Sequence, residues 1–206
     1  TKLVGREWEP LTETETVAMT FSPVLTEPGD IIFFDSYAPH MSNPNMTDQP
    51  RRLYFATYNR WTVELTELPE EPGRHWVYYE TSLVDKDLSL INRIENITPF
   101  HAGFRRLADS LLPSVGQLLG EEAVLFKDKI NFKMPGGDGF KPHQDSQAGW
   151  EEYADYFISA LVSIDPATHE NGCLQLASRP ETKLVGREWE PLTETETVAM
   201  TFSPVL

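Results

Sequence analysis

Residues 123–145 read AVLFKDKINFK-M-PGGDG-FKP-HQD, and this stretch decides the fold. Its first eleven residues, Ala123–Lys133, alternate in character. Lys127, Lys129, Asn131 and Lys133 share one parity, and Asp128, Ile130 and Phe132 share the other. A period of two belongs to a strand, whose successive side chains point to opposite faces. The glycine-rich run Pro135-Gly136-Gly137-Asp138-Gly139 then breaks the pattern, as a tight turn does. His143-Gln144-Asp145 follows. On extended backbone, residues i and i+2 face the same way, so His143 and Asp145 can hold one metal ion from one side.

Similar short segments lie on both sides. Strands are expected at Phe157–Ile164, Gly172–Ala177, Thr195–Phe202 (or its copy, Thr14–Phe21), Asp30–Phe34 and Arg52–Tyr58, separated by Gly, Pro, Asn and Asp. Upstream, Thr98-Pro99 predicts a helix start. Phe104, Leu107, Leu111, Val115, Leu118 and Leu119 recur at helical spacing. Pro113 is expected to split that helix in two, and Gly120 to end the second piece. Many short strands with a helical flank predict a mainly β protein: a double-stranded β-helix, the jelly roll of cupin-like proteins, rather than a parallel βαβ fold.

A metal site needs a third ligand. Among the five histidines, His40 stands out, because the expected strand Gly29–Asp35 delivers Pro39-His40 just past its end. Two His and one carboxylate on one face of an octahedral ion leave three positions open, the arrangement of non-haem Fe(II) oxygenases. A lone H-x-D is also compatible with an ordinary surface turn. Such oxygenases usually take 2-oxoglutarate, whose far carboxylate suits a bidentate arginine. Arg51 lies eleven residues after His40. Of the pair Arg51-Arg52, one is expected to be a solvated charge, since neighbours on a strand face opposite ways.

The lysine-rich parity of 127–133 has two readings: a wall that attracts an anionic cosubstrate or substrate such as a phosphonate, or a solvated outer face. His75, His101 and His169 lack partners at ligand spacing and read as surface or packing residues. Trp150 reads as core, or as the floor of a pocket. Cys173 reads as a buried hydrophobe. Glu7, Glu9, Glu13 and Glu15 read as a solvated face.

Composition sets the limits. The 206 residues carry 17 basic and 32 acidic side chains, a net charge of −15. That balance argues against nucleic-acid and anionic-membrane surfaces. Apolar runs such as Ile31–Phe34 and Ala160–Val162 fall far short of the roughly 20 residues that span a bilayer. The opening Thr-Lys-Leu-Val-Gly lacks a signal-peptide pattern, and one cysteine excludes an internal disulfide framework. A cytoplasmic location is expected.

Residues 1–25 and 182–206 are identical, letter for letter. Natural repeats diverge, so the identity suggests rearrangement. The expected reading is one oxygenase domain over 1–206 in circularly permuted order, with a new internal join at 61–73. A tandem fusion of fragments is the alternative. One barrel has one slot for the duplicated segment, so chains that exchange copies would give a segment-swapped homo-oligomer.

The chain resembles the phytanoyl-CoA dioxygenase (PhyH) superfamily of Fe(II)/2-oxoglutarate oxygenases. The resemblance rests on Lys129-Ile130-Asn131-Phe132-Lys133, His143-Gln144-Asp145, Glu170-Asn171-Gly172-Cys173-Leu174, Pro28–Asp35, Pro39-His40-x-Ser42-x-x-Asn45 and Pro50-Arg51. It implies that His143, Asp145 and His40 ligate Fe(II). It implies that Arg51 binds the far carboxylate of 2-oxoglutarate with Ser42 as hydrogen-bond partner, and that Asn131 contacts the cosubstrate. In the family, H-x-D precedes the distal His; here it follows, in line with permutation. Halogenating relatives lack the carboxylate, so Asp145 implies hydroxylation. The expected activity is hydroxylation of a small polar, phosphonate-like molecule with dioxygen. The rival expectation is an impaired jelly-roll binding module or an engineered swapped assembly.

Overall fold

The computed structural model describes residues 10–16, 19–60 and 75–177. The expected join at 61–73 and the second copy at 182–206 lie outside them. In chain order the elements are helix α1 (Glu13–Thr16), strands β1 (Phe21–Val24), β2 (Ile31–Asp35), β3 (His40–Ser42), β4 (Arg51–Arg60), β5 (Trp76–Thr81) and β6 (Ser89–Glu95), helix α2 (Ala102–Leu119), and strands β7 (Ala123–Lys133), β8 (Phe140–His143), β9 (Phe157–Ser163) and β10 (Leu174–Ala177). The strands form two antiparallel sheets, ordered β1-β10-β3-β8 and β2-β9-β4-β7-β6-β5. This is the expected jelly roll. Among the described residues no helix is long and apolar enough to cross a membrane.

Strand β4 shows how the six-stranded sheet has two occupied faces. Tyr54, Ala56 and Tyr58 pack outward with Ile130, Ile158, Ala160 and Val162 against Leu111, Val115 and Leu119 of α2. The alternate residues Leu53 and Phe55 point inward and meet Phe34, Leu161 and Leu174 between the sheets. A strand buried on both faces reads as a nearly continuous apolar run, which is what 53–58 is.

Several local expectations are corrected. Helix α2 runs unbroken through Pro113. Pro113 is exposed, so its ring faces solvent, while Leu111 and Val115 on either side of it are anchored in the core. The cap is His101, whose Nδ1 accepts from the Phe104 N–H at 3.2 Å. Thr98 instead lies in a loop tied to buried Asp128, which accepts from the N–H groups of Ile97 and Thr98 at 3.0 Å. Gly120 ends the helix as expected, in the left-handed region at φ 77°.

The Thr14–Phe21 strand is replaced by α1. Thr12 and Glu15 form a capping box there: the Thr12 N–H donates to Glu15 Oε2 at 2.7 Å and the Glu15 N–H to Thr12 Oγ1 at 3.3 Å. The strand begins only at Phe21, and this part of the first copy pairs with β10 at the sheet edge. Strand β10 begins at Leu174 because Gly172 turns at φ 74° against the Asn43 backbone.

Candidate metal centre

Three segments converge at one end of the four-stranded sheet. His40 opens β3, and His143 closes β8 as its cross-strand neighbour. Asp145 is not on the strand. It opens a 3-10 turn over Asp145–Ala148, and the extended Gln144 between them, at φ −115° and ψ 135°, preserves the i/i+2 relation. The Gln144 amide donates to the Tyr37 carbonyl at 2.6 Å, and its N–H donates to Gln147 Oε1 at 2.8 Å, which fixes that geometry.

The ligand atoms of His40, His143 and Asp145 lie within 4.8 Å of one another, and among the described residues they form the one group able to hold a metal. Nε2 of His40 is 3.9 Å, and Nε2 of His143 4.0 Å, from Asp145 Oδ1. The imidazoles are 4.1 Å apart between ring centres. Each Nδ1 sits beside a backbone carbonyl: Ala38 at 3.0 Å for His40 and Lys141 at 2.8 Å for His143. A proton on Nδ1 satisfies those carbonyls and leaves Nε2 as a lone pair aimed at the centre, the arrangement by which second-sphere groups orient ligating histidines. Burial, aided by His40, lowers His143 to about 3, so its ring is neutral at ordinary pH. Burial opposes ionisation of Asp145, but His40, Lys129, His143 and Lys127 outweigh it and hold the carboxyl below its ordinary range. Neutral imidazole and ionised carboxylate are the forms that bind a metal, so the donor set fits a divalent cation.

The inward face of β7 forms the opposite wall. Lys133, Asn131, Lys129 and Lys127 stand opposite Arg51, Leu53, Phe55 and Thr57 of β4. The lysine parity thus faces the interior, and the solvated-face reading is overturned. Arg51 is buried at 3% exposure and donates through Nη2 to the Gly172 carbonyl, while its Nε has no partner. Burial lowers its guanidinium to about 10. Arg52 points outward and forms a bidentate pair with Asp165 at 2.7 and 2.8 Å. Ser42 Oγ accepts from Lys133 Nζ at 2.6 Å and from the Phe140 N–H at 3.3 Å. With both acceptor sites used, its hydroxyl proton is free to be donated. Asn131 is buried, and its Oδ1 has no partner.

The other candidates take structural roles. His75 Nδ1 is 2.9 Å from the Asn96 carbonyl. Trp150 packs in an aromatic cluster with Phe126 and Phe157. Cys173 is buried. Site residues not anticipated are Lys133 as the partner of Ser42, and Arg93 and Glu95 on β6, which lie across from Asn131 and Lys129. Residues 89–95 mix charged and apolar side chains without strict alternation, so the strand carries little signal.

The family model for phytanoyl-CoA dioxygenase (PhyH) matches residues 6–53 and 56–197. A 2-aminoethylphosphonate dioxygenase of an uncultured bacterium is 44% identical over 119 residues, 57% of this chain and 45% of that protein. A methylphosphonate hydroxylase of Gimesia maris is 46% identical over 116 residues, 55% of this chain and 43% of that protein. A dioxygenase of Epichloe uncinata is 35% identical over 122 residues, 58% of this chain and 46% of that protein. The matches thus span about half the length of these relatives. No solved structure matches the chain.

Proposed function

We propose, from the premise that the chain belongs to the phytanoyl-CoA dioxygenase family, that it is an Fe(II)- and 2-oxoglutarate-dependent dioxygenase. Its substrate on this reading is a small phosphonate-like anion, the class named for two of its relatives. The observation that carries the reading is the convergence of His40, His143 and Asp145, with side chains only 8%, 11% and 12% exposed.

Bound there with 2-oxoglutarate, Fe(II) would supply the oxidation of a substrate C–H bond to an alcohol by dioxygen, coupled to conversion of the cosubstrate to succinate and carbon dioxide. The chain's own residues bind and orient. Arg51 offers its unpartnered Nε to the far carboxylate of the cosubstrate, and Ser42 donates its hydroxyl proton to the same group. Asn131, beside them on β7, directs its amide at the cosubstrate. Leu53, Phe55, Leu161 and Leu174 exclude water from the space between the sheets. Asp145 would hold the ion through its carboxylate, the feature that favours hydroxylation over halogenation.

The test is anaerobic titration of the protein with Fe(II), then 2-oxoglutarate, followed by measurement of succinate formed in air with methylphosphonate present. One Fe(II) per chain and phosphonate-stimulated succinate support the reading. Absence of stoichiometric Fe(II) binding overturns it.

A further inference from the structure

The interior wall carries more positive charge than one cosubstrate needs. We propose that Lys127 and Lys129 form a second anion site, which docks the tetrahedral oxyanion head of the organic substrate apart from the Arg51 end of the same wall. The inference rests on the oxygenase reading for its chemistry, but its geometry is independent of it.

Lys129 and Lys133 are four residues apart on one strand, about 13 Å at ~3.3 Å per residue. A five-carbon dicarboxylate has four C–C bonds of about 1.5 Å each, about half that backbone spacing. Arg51 and Lys133 face each other at one end; Lys127 and Lys129 serve the other. The two ends also differ in occupancy. Lys133 Nζ is engaged by Ser42 and by the Asn43 carbonyl at 2.5 Å. The ammonium groups of Lys127 and Lys129 have no hydrogen-bond partner among the described residues. Their ammonium groups lie over the rings of Trp150 and Phe55, at 5.6 and 5.2 Å from the ring centres.

One glutamate serves three cations on this wall. Glu95, directly across from Lys129, is paired with Arg93 at 3.0 Å. Its charge also acts on Lys127 and Lys129, so one negative charge is shared among three positive ones. Both lysines act electrostatically on Asp145. Two ammonium groups offer six donors and two charges. A phosphonate dianion, with three oxygens, matches that set, whereas a monocarboxylate leaves one charge uncompensated. The Phe55 and Trp150 rings supply apolar walls for the attached carbon chain.

Calorimetric titration of methylphosphonate into the anaerobic protein loaded with Fe(II) and 2-oxoglutarate tests this, with acetate as the monoanionic control. Lys127→Met and Lys129→Met should each weaken methylphosphonate on the order of 10- to 100-fold, the effect of a lost charge-assisted contact, with 2-oxoglutarate affinity kept within about threefold. Lys129→Arg should retain most of the binding. Unchanged methylphosphonate affinity in both Met variants, with circular dichroism showing them folded, overturns the proposal. So does a matching loss of 2-oxoglutarate affinity. If the wild type binds neither Fe(II) nor 2-oxoglutarate, the oxygenase reading fails instead, and the same titration on metal-free protein still judges the lysines.

Discussion

Arg51 and Lys133 stand directly opposite each other in the β4–β7 ladder, with 3% and 1% of their surfaces exposed. Two buried cations at one ladder position repel. Burial lowers the Lys133 ammonium to about 7, with Arg51 adding to the effect. An anion bound between them relieves both. Arg51→Gln should therefore weaken 2-oxoglutarate binding by about 2–5 kcal/mol, the scale of a broken buried charge pair. Arg52→Gln, which removes only the outward pair with Asp165, should leave it unchanged. Anaerobic titration of the two variants checks this, and equal losses would contradict the assignment.

The same burial makes stability depend on pH. Lys133 falls from an ordinary 10.5 to about 7 on folding. Between those values the unfolded chain binds the extra proton, so this residue contributes stability that increases as pH rises through that window. Urea unfolding at pH 7, 8 and 9 should show the wild type gaining relative to Lys133→Met by on the order of 1 kcal/mol or more. A constant difference between the two proteins would show that the ammonium is not desolvated.

His40→Ala, His143→Ala and Asp145→Ala should each weaken Fe(II) binding by well over ~100-fold, beyond what loss of an outer-sphere partner costs. The group has only these three protein ligands among the described residues. Anaerobic titration followed by absorbance of the 2-oxoglutarate complex reads it. Affinity unchanged in His40→Ala would remove that residue from the centre.

Pro113 interrupts the hydrogen-bond ladder of α2 from an exposed position. Pro113→Ala should stabilise the protein by about 1–3 kcal/mol, since it restores one backbone donor and creates no cavity. Thermal unfolding would register the gain, and a lower midpoint would show that the ring has a packing role.

The β-rich class was legible from the short segments between turn residues, and His143 from its i/i+2 spacing to Asp145, whereas the facing of the lysines was not, since the alternation of 127–133 fits a solvated face as well as an interior one. His40 was legible because a strand pattern delivers it. The residue pattern left Arg51 and Arg52 open and the family resemblance chose Arg51; β4 starts one residue before the expected Arg52. The α1 region misled because alternating Thr and Glu satisfy both a strand pattern and a capping box, and only hydrogen-bond closure at Thr12 decides. Asp145 kept its expected facing although it left the strand, since one extended residue, Gln144, is all that the relation needs.

The β3–β8 ladder has consequences beyond chemistry. It is short, with His40 opposite His143 and Ser42 opposite Phe140, and its register shifts between them. An ion gripping both imidazoles and Asp145 would act as a rivet across this seam, adding its binding free energy to the cohesion of the small sheet. Removing it with a chelator would then loosen this corner first. The amide protons of Phe140, Lys141 and His143 would exchange with solvent long before those of β4, which is paired on both sides.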